Sequence, residues 1–591
     1  MNKQALLHRA KSEYAYATDE KTLNITIRTA RNDLKSVSLI YGNPFMWSKD
    51  AHWQYKIEPM NKRYQTSVFD YYFLEIKPQD YRVKYAFILE DFDGAKYFYG
   101  SKKMITLETI DNSLDLQNLF NYPYINHEDL AKTPSWVKDT VWYQIFPDRF
   151  YTEKSLLPWG KLPVRNNEIY GGNIQGIIDK IPYLSDLGIT GIYFTPIFEA
   201  KTAHKYDTID YYKIDPSFGT NADFKKLVKI AHKHNIKVML DGVFNHSGYL
   251  HPYFLDVVKN GENSIYKDCF YIDRFPVVNF PLTETGEPKI NGSYSLNFRT
   301  FAYTPHMPKW NTDNPLTKKH LLGVIKYWIK NYNIDGWRLD VSNEVSHDFL
   351  REIKKASRKA NPNTFILGEN WDQSLAWLQG DQLDSVMNYD LSYPIWQYFE
   401  HIINTNEFID IINTYLALTP KHAMENMFNL LDCHDTIRIL RRLNDNVDRT
   451  KLAYLFMFLS AGAPNIYYGG EIGLTGDNDP DNRRCMIWDS SQQNMDLYNF
   501  IKRLISLRSS YQAFKESDYQ FVQTGNDLLV FTKESANETV LCVINNSENT
   551  KDFEIPSVLK GNYIDLFNNN SSSYDKIHLE PYKFILLYKE E

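Results

Sequence analysis

The chain has 591 residues, with 66 Lys and Arg against 73 Asp and Glu, so its formal net charge at pH 7 is −7. This balance leaves no basic face for nucleic acid and no polybasic patch for a membrane surface, and it favours an uncharged substrate. No run of about 18 uncharged apolar residues predicts a membrane-spanning helix, and the four cysteines lack the spacing of a metal site or a disulfide framework.

The amino end lacks a secretory signal. Its short apolar stretch is interrupted by His8, Arg9 and Lys11, so the apolar region that a signal peptide requires is missing. We therefore expect a cytoplasmic protein. Residues 1–125 then alternate in short runs, at 23–28, 37–41 and 82–90, with a hairpin-type turn at Asp93-Gly94. These runs predict an amino-terminal β-sandwich, and residues 126–135 predict a linker.

From Val141 onwards, short β-branched and aromatic runs alternate with helical stretches, which is typical of βα units around a parallel sheet. We assign eight strands, at residues 141–147, 189–197, 236–244, 334–341, 364–369, 384–389, 426–433 and 464–469. Helical stretches such as 316–332 join most of them. Right-handed crossovers would close this α/β series into a (β/α)8 TIM barrel over residues 136–510.

Two further segments complete the predicted architecture. Residues 247–315 are rich in Pro, Asn and Tyr and show little periodicity, which predicts an inserted subdomain after the third strand that overhangs the barrel mouth. Alternating runs return at 528–532, 539–544 and 583–588. They predict a carboxy-terminal β-sandwich over residues 511–591.

Three carboxylates each end a short apolar run that we assign to a barrel strand. They are Asp340, Glu369 and Asp435, and Asp241 ends an earlier run in the same way. Because a (β/α)8 barrel carries its chemistry at the carboxyl ends of its strands, we expect these acids to meet on one rim. Paired carboxyl groups at such a rim are what cleavage of a glycosidic bond requires.

Arg338 and Asp340 should share one face of their strand, because side chains two residues apart point the same way. A guanidinium beside a carboxylate favours the ionised acid, so we expect an ionised Asp340 that acts as the nucleophile of a retaining glycosidase. Glu369 is then the candidate for the protonated acid. The alternative is that Arg338 and Asp340 form a buried ion pair without a catalytic role. Four acids at strand ends, in the order of the barrel strands, make this alternative interpretation weaker.

Seven motifs make the chain similar to a known family. Four stand in order: Asp241-Gly-Val-Phe-Asn-His246, Gly336-Trp-Arg-Leu-Asp340, Gly368-Glu369 and His434-Asp435-Thr436. Three more are His204-Lys-Tyr-Asp-Thr208, Met307-Pro-Lys309 and the run from Asn465 to Pro480. From about residue 136 to 489, the chain resembles the α-amylase family of glycoside hydrolases, within it the neopullulanase, cyclomaltodextrinase and maltogenic amylase group.

The resemblance implies a retaining α-glucoside hydrolase that cleaves α-1,4 bonds of cyclodextrins and maltooligosaccharides. Some transglycosylation is implied as well, with pullulan and starch as further candidate substrates. Asp340 would be the nucleophile, Glu369 the general acid and base, and Asp435 the carboxylate that holds the distorted sugar. Arg338 would fix Asp340, and Asp241 would support the site through structural hydrogen bonds.

The resemblance also implies a set of substrate-binding residues, namely Tyr206, His246, Arg338, His434, Asp479 and Arg483. Tyr206 would stack beneath the sugar at the cleavage point, and His246 and His434 would hydrogen-bond that sugar. Asp479 and Arg483 would hold the next sugars on the non-reducing side. A surface ion pair is the alternative for these last two residues.

The chain departs from the family pattern near the calcium position of many relatives, after the first barrel strand. The loop from Arg149 to Ser155 is poor in oxygen ligands, and Asn173 stands where Asp is common. Six to eight convergent oxygens are hard to assemble there. We expect no cofactor and no metal, and in particular no calcium at the loop after Phe150. Two further departures, Asn370-Trp371-Asp372-Gln373 and Trp310, lie near the expected glucan entrance.

Two rival functions are left open by these residues. A sucrose or trehalose hydrolase, or a glucosyl transferase, would share the barrel and the three acids and differ only in its pocket. A noncatalytic binding subunit of the same fold would lack one of the acids, and all three are present.

Partners are predicted from the same resemblance. The substrate would be an α-glucan oligosaccharide or cyclodextrin, with no nucleic acid and no membrane. Residues 1–125 would form a carbohydrate-binding-like sandwich that closes over a partner's barrel in a homodimer, whereas the alternative is a monomer. Trp47 and Trp53 of this sandwich are either a sugar platform or packing residues of a core or interface.

Overall fold

The computed structural model describes residues 1–50, 52–108, 114–289, 295–516, 519–522 and 527–590. The chain divides into two compact units. The first unit combines Met1–Lys132, His401–Met424 and Ser517–Asp527, and the second combines Thr133–Glu400, Glu425–Glu516 and Leu528–Glu591. All the sequence-predicted site residues belong to the second unit.

The amino-terminal part of the first unit is an antiparallel β-sandwich, as predicted. One sheet has the order β1-β2-β6-β5, and the other has the order β4-β3-β7-β8-β9 with β10 paired to β7. The strands are β1 (Ala15–Ala17), β2 (Leu23–Ala30), β3 (Ser36–Gly42), β4 (Lys56–Pro59), β5 (Asn61–Gln65), β6 (Phe69–Ile76), β7 (Val83–Glu90), β8 (Lys96–Tyr99), β9 (Met104–Thr106) and β10 (Phe120–Tyr122).

The two tryptophans of the sandwich differ in their surroundings. Trp53 is buried, and its indole Nε1 donates a 2.8 Å hydrogen bond to the backbone oxygen of Asn43. Trp47 keeps 48% of its surface exposed. Trp53 is therefore a core residue, and Trp47 is the one whose ring is accessible to a ligand or partner.

The second unit contains a closed parallel barrel. Its strands have the order β18-β17-β16-β15-β12-β11-β20-β19, and a parallel bridge between Met387 and Phe428 joins the two ends. They are β11 (Trp142–Ile145), β12 (Gly191–Phe194), β15 (Lys237–Gly242), β16 (Gly336–Leu339), β17 (Phe365–Gly368), β18 (Ser385–Val386), β19 (Phe428–Asn429) and β20 (Ala463–Tyr467). The predicted (β/α)8 barrel is confirmed, because each of the eight predicted ranges overlaps a barrel strand.

Helices follow most barrel strands, and local sequence defines their ends. In chain order they are α1 (Ile174–Leu187), α2 (Asn221–Lys233), α3 (Pro252–Asn260), α4 (Pro315–Tyr332), α5 (His347–Ala360), α6 (Tyr389–Phe399), α7 (Thr405–Leu418), α8 (Lys421–Met424), α9 (Ile439–Arg442), α10 (Val447–Leu459) and α11 (Met495–Ser510). At α4, Asn314 caps the first turn and Asn333 ends the helix in the left-handed conformation. Among the described residues, no helix is both long and apolar enough to cross a bilayer.

The insert after the third barrel strand is a packed subdomain. It contains α3, and its aromatic core includes the stacked rings of Phe270 and Trp310, whose centroids are 4.4 Å apart. Residues 290–294 of the predicted insert lie outside the described residues. A separate antiparallel pair, β13 (Phe198–Ala200) and β14 (Thr208–Ile214), follows β12.

The carboxy-terminal part is built of β-strands, as predicted. In the second unit, five strands form an antiparallel sheet in the order β22-β23-β28-β25-β26, and β24 pairs with β27. The strands are β22 (Leu529–Ser535), β23 (Glu538–Ile544), β24 (Lys551–Glu554), β25 (Asn562–Asp565), β26 (Ser571–Ser573), β27 (Lys576–Leu579) and β28 (Phe584–Glu590). One more strand, β21 (Tyr519–Val522), belongs to the first unit together with α7 and α8.

Candidate active site

A single guanidinium binds three of the strand-end acids. Arg338 of β16 is fully buried, and its Nη1 lies 2.8 Å from Oδ1 of Asp340 and 2.8 Å from Oδ2 of Asp241. Its Nη2 lies 2.9 Å from Oε2 of Glu369. Parallel strands that end at the same rim bring these groups together, as the alternation along β16 predicts.

The surroundings of Asp340 act on its ionisation in opposite directions. Burial raises the pKa of Asp340 well above its usual range, and the charges of Glu369 and Asp241 raise it further, whereas Arg338 lowers it. Arg338 opposes the rise, but its single positive charge is shared among three carboxylates. The cluster titrates as one system that retains a proton, and a glycosidase needs such a proton on its general acid.

Glu369 is held by its immediate chain neighbourhood. The backbone N–H of Val341 donates a 2.9 Å hydrogen bond to its Oε2, and the indole N–H of Trp371 reaches its Oε1 at 3.3 Å. Val341 has a φ of 46°, which is strained for a β-branched residue. A Cβ on Gly368 would lie 2.3 Å from Cδ1 of Leu383 and 2.5 Å from Oγ of Ser342, so a larger residue before Glu369 would displace both side chains.

Sequence reasoning did not assign roles to Val341 or Trp371. Val341 carried no signal beyond its position directly after Asp340, and Trp371 was noted only as part of the departure at 370–373 near the expected glucan entrance. The Trp371 ring stacks on Tyr389 with centroids 4.2 Å apart and planes 5° apart, so its orientation is fixed. Trp371 is thus a rigid donor to the candidate acid.

Asp435 is the most solvent-accessible of the three acids. Its Oδ1 lies 3.4 Å from Nη2 of Arg483, and its Oδ2 lies 3.0 Å from Nε2 of His434. Arg483 also pairs with Asp479, with 2.8 Å between Nη1 and Oδ1. Arg483 is buried whereas Asp479 is exposed, so the pair joins a buried guanidinium to a carboxylate at the protein surface.

A chain of hydrogen bonds orients the second histidine and the predicted stacking tyrosine. Gln144 donates through Nε2 to Nδ1 of His434 at 2.8 Å, which leaves the proton of His434 on Nε2, facing the Tyr206 hydroxyl at 2.5 Å. The Tyr206 hydroxyl in turn donates to Asp241 at 3.1 Å. Gln144 was not assigned from the sequence, since an amide at the end of β11 carries no distinctive pattern.

Both candidate histidines are neutral at neutral pH. Burial lowers the pKa of His246 to about 3 and holds the pKa of His434 well below its usual range. Among the described residues, the buried Nε2 of His246 has no hydrogen-bond partner, and it lies 4.0 Å from Oδ2 of Asp340. A buried polar atom without a partner at this position is suited to meet a sugar hydroxyl.

The insert holds the His246 segment in place. Lys309 donates to the Asn245 side chain and lies 3.1 Å from Oε2 of Glu344, and the Phe301 ring stacks on His246 with centroids 5.0 Å apart. The motif Met307-Pro-Lys309 thus contributes through Lys309. The insert and the barrel rim therefore form one site.

The loop after the first barrel strand does not fit a calcium ion. Asp148 is bound by Arg149 at 2.6 Å, and it also accepts backbone hydrogen bonds from Tyr170 and Gly171. The ammonium of Lys180 lies 3.9 Å from the Tyr151 ring centroid. With two cations nearby and the carboxylate already bound, the loop lacks the convergent oxygen ligands that calcium requires.

One other group of residues has the spacing of a metal site. The ligand atoms of Cys433, His434 and Asp435 lie within 4.8 Å of one another. The nitrogens of His434 already contact Gln144 and Tyr206, and burial raises the pKa of the Cys433 thiol to about 12, so the thiolate that binds metals is disfavoured. This group lies beside Tyr206 and Arg483 at the same rim as the other acids.

Comparison with known proteins agrees with this geometry. Residues 144–518 match the catalytic domain of α-amylase, residues 1–126 match an N-terminal Ig-like domain of α-amylase, and residues 519–586 match the C-terminal domain of maltogenic amylase. The match to the catalytic domain covers more than half of the chain and includes all the residues of the site.

Individual relatives are similar over nearly the whole chain. The sequence is 42% identical to a cyclomaltodextrinase of Geobacillus thermopakistaniensis (strain MAS1) over 600 residues, covering 99% of each protein. It is 40% identical to an intracellular maltogenic amylase of Bacillus subtilis (strain 168), covering 93% of this chain and 92% of that protein. A solved cyclomaltodextrinase structure superposes with a TM-score of 0.90 at 38% identity, covering all of both chains.

Proposed function

Because the chain belongs to the α-amylase family of glycoside hydrolases, we propose that it cleaves α-1,4 bonds of cyclodextrins and maltooligosaccharides with retention of configuration. Pullulan and starch are poorer substrates in this proposal, and part of the turnover transfers the sugar to another saccharide. The names of the relatives, cyclomaltodextrinase and maltogenic amylase, support this substrate class.

One observation carries the proposed mechanism. Asp340 and Glu369 contact two nitrogens of the same guanidinium, at 2.8 and 2.9 Å. Retaining glycosidases need a nucleophile and an acid that are close enough to act on one bond without an intervening water. Sharing Arg338 keeps this pair together.

The reaction then follows in two steps. A carboxylate oxygen of Asp340 attacks the anomeric carbon while Glu369 gives its proton to the departing glycosidic oxygen, so a glycosyl ester forms and the carbon–oxygen bond breaks. Glu369, now ionised, removes a proton from water, whose oxygen attacks the anomeric carbon, so the bond to Asp340 breaks and its carboxylate is released. When the hydroxyl group of a second saccharide takes the place of water, the glycosyl group is transferred to that saccharide.

The remaining residues bind and distort the sugar. In this proposal, Asp435 accepts hydrogen bonds from its hydroxyls, and the neutral His246 and His434 hydrogen-bond the sugar at the cleavage point. The Tyr206 ring, fixed through its hydroxyl, lies against the apolar face of the same sugar. Arg483 extends the site towards the next sugar with Asp479.

We also propose where the enzyme is located, whether it binds calcium and how it assembles. We place it in the cytoplasm, which the name of the Bacillus subtilis relative supports. No calcium is bound at the loop after Phe150, a proposal that the cations Arg149 and Lys180 support. A homodimer through the amino-terminal sandwich is proposed too, and it is supported by the exposed rings of Phe45 and Trp47, at 73% and 48%.

An end-product assay tests the proposed function. The purified chain is incubated with β-cyclodextrin, maltotriose, pullulan and soluble starch, and with sucrose and trehalose as controls. We expect the ring and the short chain to be cleaved fastest, with the α-anomer appearing first in the proton NMR spectrum. A first product of β configuration, or activity confined to sucrose or trehalose, contradicts the proposal.

A further inference from the structure

We propose that the first unit carries a second saccharide-binding site, separate from the catalytic rim, for a short neutral α-glucan. The site is a cavity of about 560 Å3 between the edge strand β5, helix α7 and strand β21. Its described lining residues all belong to the first unit, and none is a residue of the candidate active site. The volume is in the usual range for sites that bind small molecules.

The cavity wall favours a neutral ligand. Of its two cations, Lys62 lies 2.8 Å from the buried carboxylate of Asp70, and the guanidinium of Arg63 lies 4.6 Å from the ring centroid of Phe73. Both positive charges therefore have partners within the fold. No acidic side chain is among the described residues that line the cavity, so the wall lacks the carboxylates that would favour a cation.

The polar groups of the wall are mostly amides. Asn61 and Gln65 come from β5, Asn413 comes from α7, and Gln520 comes from β21. An amide both donates and accepts hydrogen bonds, so it can match the hydroxyl groups of a sugar without leaving a charge to be neutralised. Gln65 already donates to Asn32 and Asp70, and Asn413 donates to the backbone of Gln65, so these two amides offer mainly their side-chain oxygens. The four amides stand on three separate elements.

Aromatic side chains supply the apolar part of the wall. Tyr519 and Phe521 alternate along β21, so they share one face of the strand, and their ring planes are within 8° of each other with centroids 5.8 Å apart. Phe73 contributes from β6. Tyr519 is buried, so the partly exposed rings of Phe73 and Phe521 are the ones that would pack on the apolar face of a sugar, while the amides bind its hydroxyls.

The wall is held rigidly on one side. Asn413 of α7 donates a 2.8 Å hydrogen bond to the backbone oxygen of Gln65, and Asp410 accepts the backbone N–H of Ser67 at 2.9 Å. These two bonds join the helix to the end of the edge strand β5. A site formed on rigid elements loses little conformational freedom when a ligand binds.

The choice of an α-glucan rests on the proposed function, since a second site near a hydrolase is most useful for the saccharide that the enzyme cleaves. The test uses the full chain with Asp340→Asn, which cannot turn the ligand over. Isothermal titration with maltotriose should show two sites per chain. Adding Phe521→Ala, or the exposed change Gln520→Lys, should weaken one site at least tenfold and leave the other unchanged.

A matched control is Phe92→Ala, because Phe92 is 68% exposed in the same unit and does not line the cavity. It should keep both sites. A single site in the Asp340→Asn protein, or two unchanged sites in both cavity variants, overturns the inference. Hydrolysis of maltotriose is measured in parallel for the native chain and for a Phe521→Ala variant that keeps Asp340. If the native chain does not hydrolyse maltotriose, the proposed function is contradicted. The titration, in contrast, tests the cavity alone.

Discussion

The hydroxyl of Tyr211 donates a hydrogen bond to the backbone oxygen of His246 at 2.9 Å. The same hydroxyl lies 2.9 Å from the backbone oxygen of Val243 and accepts the indole N–H of Trp310 at 3.2 Å. All of these groups are buried. Trp310, which departs from the family pattern, is thus one end of a short relay that fixes the segment carrying His246.

Tyr211→Phe should therefore lower kcat/KM on maltotriose about tenfold or more and reduce stability by roughly 1–3 kcal/mol, because two buried carbonyls and one indole N–H lose a partner. Tyr212→Phe is the matched control, since the hydroxyl of Tyr212 makes a longer bond of 3.3 Å to His320. Steady-state kinetics and thermal unfolding measure both effects. Equal kinetics in the two variants would show that the relay does not position His246.

Asp340→Asn should lower kcat by several orders of magnitude, because the amide cannot form the glycosyl ester. The melting temperature should not fall, since the change removes one buried negative charge that competes for Arg338. Kinetics on β-cyclodextrin and a thermal scan provide the test. A near-normal kcat would refute the assignment of the nucleophile.

The buried Asp432 should make the stability of the folded chain depend on pH. Burial raises its pKa to about 6, whereas Arg438 and Arg442 oppose the shift, and the ordinary value is about 3.9. The folded state keeps the proton longer than the unfolded state, so this residue stabilises the fold below pH 4 and loses that contribution as the pH rises through about 6. The difference of about two pH units corresponds to roughly 3 kcal/mol at most.

Asp432→Asn should remove this dependence of stability on pH. Between pH 4.5 and 7.5, the melting temperature of the variant should gain relative to that of the native chain. Asp552→Asn serves as the control, because Lys576 and His578 lower the pKa of this exposed acid. The contribution of Asp552 to stability therefore changes with pH in the opposite direction. Parallel pH profiles of the native chain and Asp432→Asn would contradict the raised pKa.

Removal of divalent metal should have little effect. We expect activity and melting temperature to be nearly unchanged in EDTA, because Asp148 is already bound by Arg149 and by backbone N–H groups. Thermal scans with EDTA, and then with excess calcium, measure the effect. A large drop that calcium reverses would refute the proposal.

The preference for small or cyclic maltodextrins should depend on the amino-terminal sandwich. In the proposed dimer, the sandwich narrows the mouth of the partner's barrel, so a ring enters and a branched polymer does not. A chain that begins at Pro134 should become monomeric and lose its preference for β-cyclodextrin over starch. Light scattering and relative kcat/KM test this. An active full-length monomer, or an unchanged preference after truncation, would contradict it.

Much of the fold could be predicted from local pattern. The barrel strands are short, largely apolar runs whose residues are buried, except for the half-buried Lys237 of β15, so their positions can be read from local composition. The helix from 315 to 332 carries its own cap at Asn314. The expected family was confirmed by the comparisons. The roles of the site residues stay predictions, although the structure brings Asp340, Glu369 and Asp241 onto one guanidinium.

By itself, the sequence determined which residues stand at the strand ends, because alternation and apolar runs are properties of neighbouring residues. Only the tertiary structure decided how those residues share charge. The raised pKa of Asp340, the hydrogen bond from Val341 to Glu369 and the relay from Trp310 to His246 depend on distances between separate strands and loops. Such distances are set when the barrel closes, and Coulomb energies and burial change steeply with them.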